Sequence, residues 1–231
     1  MRQKDGPLKK EFESLNKEID NLLKKNPKLA KPTVIAVSKR QPVEKIRELY
    51  DLGQRDFGEN YLSEALDKQS QLQDLDIRWH FIGNIQSKKI KDMVGNFNLI
   101  HSVSRLKEAE GIALASQKNN LVQDVLMQVN IAGEDSKQGF SPQETKRAAI
   151  AMRDLIGLRL IGMMIFPPQS QTQAESQHWF DQGRLLFEQI KSVIGPQFER
   201  LSMGTSGDYL LALSRGATDI RIGERLLGPR A

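Results

Sequence analysis

Thr33-Val34-Ile35-Ala36-Val37-Ser38-Lys39 is a short apolar, β-branched run that stops abruptly on a lysine. Entered through Pro32 and left toward Pro42, it reads as a parallel strand buried on both faces. Such a strand has no solvated side for an ammonium group. Lys39 must therefore emerge at the carboxyl end, where α/β folds place their chemistry. From strand and position alone, the lysine reads equally as a rim cap and as a reactive group.

Working outward, Leu8, Phe12, Leu15, Ile19 and Leu22 mark one face of a leading helix over 8–25, ended by Asn26-Pro27. Further strands are predicted at 77–82, 99–103, 124–130, 158–165 and 218–222, with weaker ones at 55–60 and 201–203. Between them lie helical stretches from Pro42, around 61–66, and over 85–94, 105–118, 142–154, 172–194 and 207–215. Segment 131–141 is polar and glycine-rich, a longish loop of the kind that is often functional. Eight candidate strands without hairpin signals or a Ser/Pro-rich linker predict an α/β protein. The expected architecture is a single (β/α)8 TIM-type barrel domain over 1–231 with one extra N-terminal helix. A doubly wound open sheet is the alternative, because two of the strands are weak.

The bulk composition narrows the function. At 231 residues, 39% hydrophobic and 27% charged, the chain is an ordinary globular protein with a substantial core. The absence of cysteine excludes a disulfide scaffold, a thiolate metal site and a cysteine nucleophile. No apolar run approaches the roughly 18 residues of a membrane span, and Met1-Arg2-Gln3-Lys4-Asp5 lacks the core of a secretory signal. A cytoplasmic location without membrane contact is expected. The net charge of +5 is spread widely, its densest cluster being Lys88-Lys89-Ile90-Lys91. Without aromatic residues interleaved it does not predict a nucleic-acid partner; a small phosphorylated ligand is equally compatible.

In a barrel, the strand exits share one mouth, so the residues there can be named. No paired carboxylates and no histidine beside a nucleophile gather at it, and no metal site is expected. His80 and His101 alternate with apolar residues and read as hydrogen-bonded structural groups. Ser202-Met203-Gly204-Thr205-Ser206-Gly207-Asp208 and Arg221-Ile222-Gly223-Glu224 are small-residue turns after the last two strands, the recurrent phosphate position in barrels. Either turn alone reads equally well as helix capping; together they favour phosphate. A serine-hydrolase elbow fits poorly, because Asp208 stands where its second glycine belongs. A lysine at the first strand and a phosphate cradle at the last two would face each other across the mouth. Pyridoxal 5′-phosphate, with an aldehyde at one end and a phosphate at the other, would bridge them. Arg221 is then the candidate for the ring nitrogen, where a permanent cation disfavours protonation of the pyridine.

These stretches resemble the pyridoxal phosphate homeostasis protein family, single-barrel relatives of the alanine racemase N-terminal domain. The resemblance rests on Val37-Ser38-Lys39, Phe57-Gly58-Glu59-Asn60-Tyr61, Trp79-His80-Phe81-Ile82-Gly83, His101-Ser102-Val103 and Gln128-Val129-Asn130-Ile131. It continues through Lys137-Gln138-Gly139-Phe140, Gly162-Met163-Met164, Leu201-Ser202-Met203-Gly204 and Arg221-Ile222-Gly223. It implies that Lys39 carries the cofactor as a Schiff base (an aldimine) and that Arg221 meets the pyridine nitrogen. Ser202, Ser206 and the amides around Gly204, Gly223 and Glu224 would hold the phosphate, with Asn60 beside the cofactor. Thr205 departs from the methionine frequent in that motif. Compared with racemases, the chain has Val43 about where a phosphate-touching tyrosine stands, and it ends before a second, tyrosine-bearing domain. A racemase needs two opposed bases, and only Lys39 is evident. The implied role is a monomeric protein of vitamin B6 homeostasis that binds the cofactor, supplies it to apoenzymes and has no strong catalysis of its own. A pyridoxal-phosphate racemase-like enzyme is the alternative; a barrel in which Lys39 attacks a sugar carbonyl is a third.

Overall fold

The computed structural model describes residues 6–134, 137–168 and 172–229. Eight parallel strands close in chain order: β1 (Thr33–Val37), β2 (Asp56–Glu59), β3 (Arg78–Phe81), β4 (Leu99–Val103), β5 (Gln123–Val129), β6 (Leu158–Ile165), β7 (Arg200–Thr205) and β8 (Asp219–Ile222). The ring is sealed by β1 against β8, with Ile35 opposite Arg221 and Ala36 opposite Ile222. That closure excludes the open sheet. The two strands that read weakly are real. All four residues of β2 are buried, and β7 extends to Thr205 although Ser202 and Gly204 lower its propensity, because pairing with both neighbours holds it.

Around the barrel lie α1 (Pro7–Lys25), α2 (Val43–Asp51), α3 (Leu62–Gln71), α4 (Ile90–Met93), α5 (Leu106–Lys118), α6 (Pro142–Arg153), α7 (Gln173–Ile194), α8 (Tyr209–Ser214) and α9 (Glu224–Leu227). The leading helix starts on a proline, ends on Lys24 and Lys25, and buries Leu8, Leu15 and Ile19. Glu18 on its inner side bonds Arg225 and Tyr209, tying it to the last two helices. A capping box between Ser141 and Glu144 starts α6.

The stretch 85–94 is not the regular helix expected. It is a 3-10 turn at Ser87–Lys89 followed by the single turn of α4. Only Ile90 and Met93 in these two pieces are buried, so no apolar stripe is long enough to hold a full helix against the barrel. Among the described residues, no helix is long and apolar enough to cross a membrane.

Candidate active-site mouth

Lys39 lies in the turn that follows β1, half-buried, and Arg40 after it has a left-handed φ of 56°. A buried polar cluster holds this turn from below. Ser38 Oγ donates to Glu59 Oε1 at 2.7 Å, and Lys68 Nζ donates to the Ser38 carbonyl at 2.6 Å and to Glu59 Oε1 at 2.8 Å. Glu64 Oε1 accepts from Lys68 at 2.6 Å and from the Arg40 amide at 2.5 Å, so one carboxylate secures both ends of the turn. Glu59 is wholly buried, which raises its carboxyl pKa against the opposing pull of Lys68. Its second oxygen, like Asn60 Oδ1 next in the chain, is buried without a hydrogen-bond partner. At the exit of β3, a Cβ on Gly83 would stand 2.0 Å from the Asn60 carbonyl oxygen, so only glycine lets these two strand exits touch.

At the other predicted site, the exits of β7 and β8 meet. The Gly223 amide donates to Ser206 Oγ at 3.3 Å, while Asp208 Oδ1 accepts from the Thr205 amide at 2.6 Å and closes the turn between. Gly204 has φ of 92°, and a Cβ there would lie 2.5 Å from Ala212 Cβ, so α8 can sit this close only over glycine. The helices beginning here span six and four residues. The anion-binding capacity of these turns therefore lies in their amides more than in any sizeable helix dipole. Glu224 is exposed at the start of α9. A cavity of about 630 Å³ opens beside these turns, lined by Lys137, Phe166, Thr205, Gly207, Asp208 and Arg221 among others.

One expectation about the mouth needs correcting. Lys39 and the β7–β8 turns do not face each other across it. Closure pairs β1 with β8, and a Cβ on Gly223 would lie 3.6 Å from Val37 Cβ, two residues before the lysine. They are side by side, which shortens the span a shared ligand must bridge.

Arg221 is 4% exposed, and burial pulls its guanidinium down to about 10, still fully charged at neutral pH. Its Nη1 donates to Ser202 Oγ at 2.7 Å and its Nη2 to the Ile165 carbonyl at 3.2 Å. Ser202 is thus in the barrel interior with its hydroxyl engaged by Arg221, apart from the turn that carries Ser206. Behind it, His101 Nδ1 stands 3.3 Å from Ser202 Oγ, and His101 Nε2 stands 2.9 Å from His80 Nδ1. His80 Nε2 stands 3.0 Å from Asp56 Oδ1, whose carboxylate is also gripped by Arg78. Sequence reasoning named both histidines as structural but missed Asp56 at the end of their chain and the separate Glu59–Lys68 cluster under the β1 turn. The available signal was an acidic residue at each end of a four-residue strand with no solvated face.

Burial of Asp56 opposes ionisation, but the bonds from His80 and Arg78 outweigh it and hold the carboxyl down to about 2. A depressed carboxylate stabilises the fold above its unfolded value, near 3.8, and that contribution is lost as pH falls through the folded one. Acid unfolding followed by circular dichroism should show wild type losing on the order of 2 kcal/mol between pH 4 and 2 that an Asp56→Asn variant does not lose. Parallel pH dependence of the two proteins would refute it.

The sequence model of the alanine racemase N-terminal domain matches residues 14–231. The pyridoxal phosphate homeostasis protein of Pseudomonas aeruginosa is 41% identical over 197 residues, covering 85% of this chain and 84% of that one. The Aquifex aeolicus protein of the same name is 38% identical over 197 residues, covering 85% and 86%. PipY of Synechococcus elongatus with pyridoxal phosphate bound superposes with a TM-score of 0.80 at 34% identity, covering 91% of this chain and all of that one. The alanine racemase of Clostridium difficile shares the fold, with a TM-score of 0.76 at 16% identity over 56% of its length.

Proposed function

The chain belongs to the alanine racemase N-terminal domain family, and from that premise we propose that it is a pyridoxal 5′-phosphate-binding protein of vitamin B6 homeostasis. The observation that carries this reading is the buried guanidinium of Arg221. It lines the cavity beside the β7 turn, with Phe166 and Thr205, while two of its nitrogens are anchored on the barrel, and its strand β8 pairs with β1, the strand that leads to Lys39.

The donor set fits the cofactor. A charged guanidinium offers N–H groups to the lone pair of a pyridine, and cannot accept a proton from it. The turns around Gly204, Ser206 and Gly223 offer amides and a hydroxyl suited to a phosphate dianion. Lys39 stands beside them at the end of β1, on a turn held by Lys68, Glu59 and Glu64. When bound, the cofactor supplies an aldehyde for covalent capture and a ring that withdraws electrons. Lys39 would hold the aldehyde carbon through Nζ, the aldehyde oxygen leaving as water. Asn60, at the exit of β2, would border the ring.

We assign this site no strong catalysis of its own. Arg221 would disfavour protonation of the ring nitrogen and so weaken the electron sink, and no second base stands opposite Lys39 in the family motifs. The proposed role is to hold and hand over the cofactor to apoenzymes in the cytoplasm, as a monomer whose site needs no residue from a second copy. Borohydride reduction of protein incubated with pyridoxal phosphate, followed by peptide mapping, tests the core of this. A single pyridoxyl group on the Lys39 peptide is expected. Labelling elsewhere, or none, would overturn it, and rapid α-proton exchange of single-enantiomer amino acids would overturn the non-catalytic part.

A further inference from the structure

The groups behind Arg221 form a continuous line through the barrel. Its ends, with one proton on each imidazole, determine how the middle is oriented. Arg221 can only donate, and the Asp56 carboxylate can only accept. Ser202 Oγ, having accepted from Arg221 at 2.7 Å, has one proton to give, and His101 Nδ1 stands 3.3 Å away. His101 then carries its proton on Nε2, 2.9 Å from His80 Nδ1, and His80 carries its own on Nε2, 3.0 Å from Asp56. Ser202 and His101 are essentially inaccessible and His80 is 4% exposed, so water cannot substitute for a missing partner. Burial above all drives the His101 pKa well below the usual histidine range, in keeping with a neutral ring.

We propose that Asp56, His80 and His101 are positioning residues for Arg221, acting through a one-way hydrogen-bond chain that locks both imidazoles as Nε2–H tautomers and points the Ser202 hydroxyl away from the guanidinium. A hydroxyl that donates onward is a stronger acceptor, because bonds in such a chain polarise one another. The lone pairs of Ser202 are thereby committed to Arg221, which is held at one height and tilt over the cavity. The opposite direction would be set by a doubly protonated His80. It would turn His101 Nδ1–H toward Ser202, make that oxygen accept twice and slacken its bond to Arg221. The consequence for cofactor binding rests on the pyridoxal phosphate reading; the direction of the chain does not.

Two-dimensional 15N–1H correlation spectra of the imidazole rings in ligand-free, histidine-labelled protein at pH 7 test the direction. Both His80 and His101 should give the Nε2–H pattern; an Nδ1–H pattern or a doubly protonated ring at either would overturn the proposal while leaving the cofactor reading standing. In Asp56→Asn the amide can donate to His80 Nε2, and both tautomers should flip. Titration with pyridoxal phosphate should then show affinity reduced about threefold to tenfold, the effect of weakening one buried hydrogen bond, with a shifted visible absorbance. Flipped tautomers with unchanged affinity and spectrum would overturn the coupling to Arg221. Wild-type protein with the expected tautomers and no cofactor binding would overturn the cofactor reading alone.

Discussion

Replacing Lys68 with methionine should cost about 3–5 kcal/mol of stability, the usual penalty for stranding a buried charge. Lys68 is 5% exposed and bonds three oxygens at once: the Ser38 carbonyl, Glu59 Oε1 and Glu64 Oε1. Without it, Glu59 keeps only the Ser38 hydroxyl as a donor, at 0% exposure and with its other oxygen already unpartnered. Adding Glu59→Leu to the methionine variant removes the stranded carboxylate and should recover most of the loss. Urea unfolding at pH 7 checks both, read as a shift in midpoint with the slope unchanged. A loss below about 1 kcal/mol, or no recovery in the double variant, would mean the cluster is not a coupled ion-pair network. There is a functional corollary. The Ser38 carbonyl immediately precedes Lys39, so even folded Lys68→Met protein should be labelled more slowly by pyridoxal phosphate and borohydride.

That cluster also shows where the sequence was readable and where it was not. β1 could be identified from seven residues, because a continuous β-branched run between prolines has few other interpretations and its terminal lysine has one exit. The placement of Arg221, Gly204 and Gly223 at the ends of the last two strands was legible for a related reason: small residues and an arginine at strand ends stand out against a buried apolar run. Lys68 was opaque, since a lysine in the polar half of an amphipathic helix reads as solvated. Its burial follows from where α3 lands relative to β2, a tertiary fact. Ser202 and His101 are 101 positions apart and meet because the closed barrel brings the interior faces of β4 and β7 together. The side-by-side placement of Lys39 and the β7–β8 turns has the same origin. Counting strands predicted a barrel, but the closing pair is what makes its first and last strands neighbours. The 85–94 stretch failed in the opposite direction: helical composition was there, and an apolar face long enough to use it was not.

Substituting Arg221 by glutamate should change the bound cofactor more than any other single replacement at the mouth. The guanidinium donates a hydrogen bond and carries a charge that opposes protonation of a pyridine nitrogen. A carboxylate in its place accepts a hydrogen bond and favours that protonation. Two effects should therefore appear together. Affinity for pyridoxal phosphate should fall about tenfold to a hundredfold, corresponding to loss of one charge-assisted bond worth about 1.5–3 kcal/mol. The visible absorbance of whatever cofactor still binds should shift and become dependent on pH across the neutral range. Arg221→Gln separates the contributions, because a neutral amide can still donate: it should lose affinity without the new pH dependence. The fold should lose stability as well, since Ser202 and the Ile165 carbonyl each lose a donor; thermal unfolding of each ligand-free variant reports that part independently. A glutamate variant that remains folded, keeps its cofactor and shows the wild-type spectrum would place the ring nitrogen away from residue 221. In that case the buried guanidinium serves the barrel interior alone.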